Sequence, residues 1–188
     1  MNDISLNLVV AFCLSHGIGH KGTIPWTLRK DMAHFSRITK KTENSNRVNA
    51  VIMGRKTWDS IPEKFRPLPG RYNVVLTRNS DLGSQLTGPN VTTTSSLDQA
   101  IDLLRHKKSK GEIENIWVIG GSSIYKESLN SPYCDKVYVT QIHHHFDCDT
   151  FFPSLSDKFQ LIKDPNIPDD VQKENDLNFQ FKVFQKVK

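Results

Sequence analysis

Apolar positions along the chain follow two rhythms. Ser5 to Cys13, Asn49 to Met53, Tyr72 to Leu76 and Glu114 to Ile119 are short, nearly continuous apolar runs rich in Val, Ile and Leu. Runs of that length and kind predict strands buried on both faces. Between them, the large apolar residues of Thr27 to Ile38 are Leu28, Met32, Phe35 and Ile38. At 100° per residue these cover an arc of about 120°, which predicts a helix with one core-facing stripe and Thr27 as its N-cap. Ser96, followed three residues later by Gln99, reads as a capping box that opens a second helix, with Leu97, Ala100, Ile101 and Leu104 on one face. Shorter helices are expected after Gly54, over Arg55 to Trp58, and over Ile124 to Leu129, with a short strand near Val91 to Thr93. Lys136 to His143 and Leu177 to Val187 alternate in polarity, as a closing antiparallel pair of half-buried strands would. Thr39 to Arg47 and the three-proline stretch Ile61 to Gly70 read as irregular. The pattern predicts an α/β fold, one domain over residues 1–188, with a largely parallel sheet covered on both faces. In such sheets ligands gather beyond the carboxyl ends of the strands.

Asp31 breaks the apolar stripe of the first helix, falling between Phe35 and Ile38 on the helical wheel. A carboxylate there costs free energy unless something pairs with it. It is either a buried acid bonded to backbone or a distant arginine, or a ligand-facing acid at a pocket mouth. Just upstream, Gly17 to Pro25 has three glycines, one proline and no polar-apolar rhythm, as a mobile lid would. Gly17, Gly19 and Gly22 fit the dinucleotide pattern G-x-G-x-x-G, but that mechanism needs a helix opening at the third glycine. Thr23-Ile24-Pro25 delays the helix, so the match is accidental.

Three strands end in small residues, two of them beside a cation: Gly54-Arg55-Lys56-Thr57, Thr77-Arg78 and Gly120-Gly121-Ser122-Ser123. Any one of these is an ordinary turn. Three on one sheet edge favour convergent amides and a pair of arginines around a phosphorylated dinucleotide, with NADP fitting better than NAD.

Composition adds bounds. The 188 residues are 37% hydrophobic and 24% charged, with net charge +5 and a pI near 9.1. The basic residues are scattered without aromatic interleaving, so specific nucleic-acid binding is not expected. No apolar run is long enough to span a bilayer, and the acid-first N-terminus lacks a signal peptide's basic region, which points to the cytoplasm. Cys13, Cys134 and Cys148 are odd in number and far apart, as free thiols in a reducing compartment are. Consecutive strand residues face opposite ways, so His143-His144-His145 cannot share one metal, and no metal site is expected.

Taken together, Asp31 on its helix, the Gly17 to Trp26 lid, Gly54-Arg55-Lys56-Thr57-Trp58 and Gly120-Gly121-Ser122-Ser123-Ile124-Tyr125 resemble dihydrofolate reductase. Val51-Ile52-Met53, Ser60-Ile61-Pro62, Arg66-Pro67-Leu68, Val139-Thr140 and Asp149-Thr150-Phe151-Phe152-Pro153 match as well, in order, from about Leu8 onward. The resemblance implies a single-domain, mostly parallel, eight-stranded mixed sheet with flanking helices and an antiparallel C-terminal strand. It implies NADPH-dependent reduction of 7,8-dihydrofolate to tetrahydrofolate, in support of one-carbon and thymidylate metabolism, by a monomer open to antifolate inhibitors.

By the same resemblance Asp31 is the acid that grips the amino-pyrimidine edge, Thr140 supports it and Trp26 backs the lid. Val9, Ile24, Met32, Phe35, Ile61 and Leu68 match the walls around the pterin and benzoyl ring. Val10, Phe65, Ile119 and Tyr125 complete the substrate side, and Arg71 matches the partner of the substrate's glutamate. On the cofactor side Ala11, Ile18, Gly22, Gly121 and Tyr125 line the nicotinamide or ribose. Lys56, Thr57, Ser122 and Ser123 follow the pyrophosphate, and Arg55, Thr77 and Arg78 surround the 2′-phosphate. Gly19, Gly54, Leu76, Gly120 and Ile124 complete it, with a cis bond expected between Gly120 and Gly121. There are departures. Asp31 stands where the animal branch usually has Glu, with one residue fewer after Trp26. Phe65 replaces an Asn at the substrate tail, and Ser95 replaces an Arg near the 2′-phosphate. Two rivals stay open: a reductase of the same fold acting on a ribosylated pyrimidine, and a non-catalytic nucleotide-binding module.

Overall fold

The structure, a computed structural model, describes residues 4–86 and 88–187, so the acid-first stretch Met1 to Asp3 lies outside the described residues. The four apolar runs form the middle of the sheet: β1 (Leu6–Phe12), β3 (Val48–Gly54), β4 (Arg71–Leu76) and β6 (Ile113–Val118). Beside them lie β5 (Val91–Thr94), β7 (Cys134–Ile142) and the long β11 (Leu177–Lys186). The spatial order is β10-β11-β7-β1-β6-β3-β4-β5, where β10 is Gln172–Glu174, and β9 (Phe159–Ile162) also pairs with β11. Eight strands thus follow one path and a ninth attaches at its side. Neighbours from β7 to β5 are parallel, whereas β11 runs antiparallel to β7, as the alternating pattern predicts.

Helices α1 (Arg29–Lys40) and α2 (Arg55–Ser60) lie on one side of the sheet. Their side buries Val9, Val51, Met53, Val75 and Trp117 with Ile38 and Trp58. Helices α4 (Leu97–Ser109) and α5 (Ser122–Asn130) cover the other, where Leu8, Val10, Ile52, Val74 and Val118 meet Ala100, Ile101, Leu104 and Leu129. Alternate residues of each strand go to opposite faces. A short α3 (Ser80–Gln85) and a 3-10 turn (Glu63–Phe65) fill stretches that lack an apolar rhythm. No helix among the described residues is long and apolar enough to cross a membrane.

Two local expectations are corrected. Thr27 is not the N-cap of α1. Leu28 occupies that place in extended backbone, and the Arg29 amide is capped by the Glu174 carboxylate from the tip of the β10–β11 hairpin. That hairpin also holds the helix start through Asn175 Nδ2 to the Thr27 carbonyl. At α4 the Ser96 hydroxyl accepts from the Gln99 amide as expected, but Gln99 reaches back to the amide and hydroxyl of Ser95 rather than to the Ser96 amide.

The loop expected as a lid begins with a short strand, β2 (Gly17–Gly19), paired with β8 (Thr150–Phe151). His20 and Thr23 then close a tight turn by exchanging two backbone bonds, with Gly22 at φ +78°. No helix opens at Gly22, so the dinucleotide-like glycine pattern is indeed accidental.

Candidate active site

Strand register puts the polar residues together. Ala11 of β1 lies opposite Thr140 of β7, beneath the first turn of α1. From that turn Asp31 accepts a 2.6 Å hydrogen bond from the Thr140 hydroxyl. Burial holds the Asp31 carboxyl above its ordinary range; the Thr140 bond opposes that shift and the nearby Glu174 charge adds to it. Beside it the Tyr125 hydroxyl donates to the Val9 carbonyl at 2.7 Å. Burial, and secondarily the Asp31 charge, keep that phenol neutral far above ordinary pH. Asp31 has no arginine partner among the hydrogen bonds and ion pairs of the described residues; its partner there is the Thr140 hydroxyl.

Around this acid, Phe35, Ile61, Leu68 and Ile119 are half-buried against the Val9–Met53–Trp58 cluster. Ile24, Met32 and Phe65 are more than half exposed, at 59%, 59% and 52%, so they stand toward solvent. Val10 is corrected: its side chain enters the core on the opposite face with Ala50 and Ile52, so only its backbone lies on this side. Trp26 is buried among Cys13, Leu28, Ile142, Phe179 and Phe181 and rests against Phe146, with ring centroids 5.2 Å apart. It anchors the chain where the lid meets α1.

Arg71, at the start of β4, is 4% exposed. Its guanidinium donates to the Pro69 carbonyl (3.1 Å) and the Thr39 hydroxyl (2.9 Å) and lies 5.7 Å from the Phe35 ring centroid. No carboxylate forms an ion pair with it among the described residues, and burial pushes its pKa down to about 10. A buried, unneutralised cation is a site for an incoming anion.

The phosphate-type edge also assembles by register. Gly54 pairs with Leu76 and Ile52 with Val118, so Arg55, Thr77-Arg78 and Ile119-Gly120-Gly121 leave adjacent strand ends. The Gly54 amide donates to the Gly120 carbonyl at 2.8 Å. Gly120 has φ +124°, which side-chain-bearing residues rarely adopt, so glycine suits the turn, where Thr57 Oγ1 and the Tyr125 ring lie in ordinary contact range. The Gly120–Gly121 bond is cis, as expected. Helix α5 starts at Ser122 without a side-chain cap, so its first amides point outward unpaired by side chains.

Several residues on this edge are already engaged. Arg55 Nε binds Asp59 at 2.8 Å, Ser122 donates to the Phe151 carbonyl at 2.6 Å, and the Thr77 hydroxyl accepts from the Asn79 amide. Lys56, Arg78 and Ser123 are exposed, Thr57 and Ile124 half-buried and Leu76 buried. On the lid side Ala11 and Ile18 are half-buried, Gly19 accepts from the Asp149 amide, and Gly22 is exposed.

The pattern along the sequence did not reveal Glu174 or His34. Glu174 comes from a hairpin distant in sequence, and no local signal marks it. His34 sits one position off the apolar stripe yet is buried, stacked on Phe181 at 3.9 Å.

Comparison with known proteins agrees with this geometry. A family model described as dihydrofolate reductase matches residues 5–186. A curated dihydrofolate reductase of Heliothis virescens is 44% identical over 188 residues, covering 100% of both chains. One of Aedes albopictus is 43% identical over 182 residues, covering 96% of this chain and 97% of its own. The solved Schistosoma mansoni dihydrofolate reductase superposes with a TM-score of 0.84 at 38% identity, covering 97% of this chain and 98% of that one. A family model over nearly the whole chain and full-length relatives above 40% identity show that the chain belongs to the dihydrofolate reductase family of enzymes.

Proposed function

We propose that this chain, acting as one domain, reduces 7,8-dihydrofolate to tetrahydrofolate with NADPH. The observation that carries the reading is the half-buried Asp31 carboxylate, bonded to Thr140 and without a cationic partner among the described residues. Asp31 accepts two hydrogen bonds from the amino-pyrimidine edge of the pterin and fixes its tautomer and orientation. Val9, Phe35, Ile61, Leu68 and Ile119 wall the ring and exclude water, and Arg71 binds the glutamate carboxylate at the far end. Asp31 is remote from the ring nitrogen that must gain a proton, so an ordered water delivers that proton.

The glycine turn at Gly120-Gly121, flanked by Thr57 and Tyr125, and the uncapped start of α5 fit a pyrophosphate, and Arg55 and Arg78 fit a 2′-phosphate. NADPH, bound there, supplies the hydride. Opening of the Arg55–Asp59 pair accompanies that binding. The lid from Gly17 closes over the site and keeps water from the reacting carbons. The setting is a cytoplasmic monomer in one-carbon metabolism, and antifolates that mimic the amino-pyrimidine edge occupy the Asp31 site.

The test follows NADPH absorbance with dihydrofolate as substrate. Steady consumption with formation of tetrahydrofolate is expected. Consumption only with a ribosylated pyrimidine, or nucleotide binding without turnover, would overturn the reading.

A further inference from the structure

Two thiols at the root of the lid do nothing in the scheme above. Cys13 follows β1, where its amide donates to the Gly17 carbonyl and its carbonyl accepts from the His16 amide. Cys148 precedes β8, the strand that pairs with β2. The two residues are far apart in sequence but meet across Gly17. A Cβ built on Gly17 would lie 2.4 Å from the Cys148 sulfur and 3.1 Å from the Cys13 sulfur, so the sulfurs are within about 5.5 Å of each other. Burial first, and the neighbouring Cys13 second, raise the pKa of the Cys148 thiol. Gly17 has no side chain to stand between them, and an alanine there would push Cys148 away.

We infer that Cys13 and Cys148 are a redox-sensitive dithiol whose reversible oxidation to a disulfide fastens the lid's root to the Asp147–Phe152 segment. The functional consequence, slower turnover, rests on the reductase reading above; the modification itself does not. That segment already holds the lid without a covalent tie: the Asp149 amide donates to the Gly19 carbonyl, the Lys21 amide to the Asp149 carboxylate and the Phe152 amide to the His16 carbonyl, and His20 lies 3.8 Å from the Asp147 carboxylate. A covalent tie at Cys13–Cys148 makes their joint opening far rarer.

The two thiols differ in a way that suits the steps. Cys148 is half-buried and is reached by an oxidant first, acting through the minor thiolate that burial and the neighbouring Cys13 leave it, while Cys13 is wholly covered. Burial works against the Cys13 thiolate, but hydrogen bonds from the Ser15 hydroxyl and from backbone amides outweigh it and hold that thiol below its ordinary range. With hydrogen peroxide as oxidant, the Cys148 sulfur attacks one peroxide oxygen, the O–O bond breaks, and a sulfenic acid and one water form. The Cys13 thiolate then attacks the Cys148 sulfur, the S–O bond breaks, and the departing hydroxide takes the remaining proton as a second water. Two electrons pass from the dithiol to the peroxide. The third thiol, Cys134, is buried and pushed up to about 11, so it stays reduced.

The test treats the reduced full-length protein with sub-stoichiometric to equimolar hydrogen peroxide. Intact mass should fall by two hydrogen atoms, digestion should give a Cys13–Cys148 linked peptide, and lid amides at Gly19 to Thr23 should lose most of their hydrogen exchange. Dithiothreitol should reverse all three. Turnover should fall on oxidation and recover on reduction in wild type and in Cys134→Ser, but not change in Cys148→Ser or, should that variant fold poorly, Cys148→Ala. A link through Cys134, stable overoxidation of Cys148 with Cys13 reduced, or unaltered lid exchange in the linked protein would overturn the inference. Should the reduced protein show no turnover, the reductase reading fails while linkage and exchange still decide the disulfide.

Discussion

His34 sets a measurable term in the acid stability of the helix that carries Asp31. Folding stacks its imidazole on Phe181, and Nδ1 accepts a 3.0 Å bond from the Arg37 guanidinium. A second proton would have to enter at Nδ1, breaking that bond and setting a cation beside Arg37. Burial first, and the Arg37 charge second, push the His34 pKa from 6.5 down to about 4. The unfolded chain takes up the proton near the ordinary value, whereas the folded chain waits until about pH 4. The stability this neutral ring contributes is therefore whole above the unfolded value and drains as pH falls through the folded one.

At 1.36 kcal/mol per pKa unit the whole window is worth about 3 kcal/mol, of which about 2 kcal/mol is lost between pH 7 and pH 5. With a urea slope near 2 kcal/mol/M, that loss moves the midpoint by about 1 M. Urea unfolding of wild type and His34→Phe at both pH values isolates the term, because phenylalanine keeps the stack and cannot titrate. Wild type should lose about 1 M more than the variant between the two pH values. Equal losses in both proteins, or an imidazole that titrates near its ordinary value by NMR in the folded state, would refute the reasoning.

Asp31→Asn should fold and bind NADPH normally, lose dihydrofolate turnover by about 100-fold or more at neutral pH, and melt higher than wild type. Its folded pKa is raised, so its stabilising protonated form is lost as pH rises and the neutral-pH carboxylate opposes folding, a cost the amide removes. Arg55→Ala should weaken NADPH about tenfold in a fluorescence titration and NADH far less; equal weakening would remove Arg55 from the 2′-phosphate. Arg71→Met should raise KM for dihydrofolate about tenfold or more while leaving dihydropteroate, which lacks the glutamate, unchanged, and thermal melting should show no loss of stability.

What the sequence made legible was whatever depends on local rhythm. The buried strands and the α4 cap were readable because apolar continuity and the Ser96–Gln99 spacing are encoded within a few residues. Asp31 stood out because a charge on an apolar stripe is a local contradiction. The start of α1 was misplaced because its cap, Glu174, arrives from a three-residue strand whose polarity carries no pattern. The resemblance puts Val10 on the substrate side, and its side chain faces the other layer, a difference that a continuous apolar run conceals. Nothing local marks His34, because only the approach of β11, carrying Phe181, buries it. The Cys13–Cys148 meeting was invisible for the same reason: spacing in sequence says nothing about a contact made by pairing β2 with β8.

The same helix turns explain why so much polarity is tolerated under α1. Asp31 and Arg71 each bury a charge that no ion pair among the described residues neutralises, and each therefore costs folding free energy. They cannot compensate one another directly, because Arg71 is tied to Thr39 near the end of the helix while Asp31 is tied to Thr140 at its start. A helix rises about 1.5 Å per residue, so the eight positions from Asp31 to Thr39 separate the two attachment points by about 12 Å. A ligand that satisfies both must present a donor edge at one end, an anion at the other and a rigid apolar span between. On the proposed reading a pterin, a benzoyl ring and a glutamate carboxylate meet that demand. A ligand with only one of these ends leaves the other charge uncompensated, so binding discriminates through the unpaired group as much as through the contacts made.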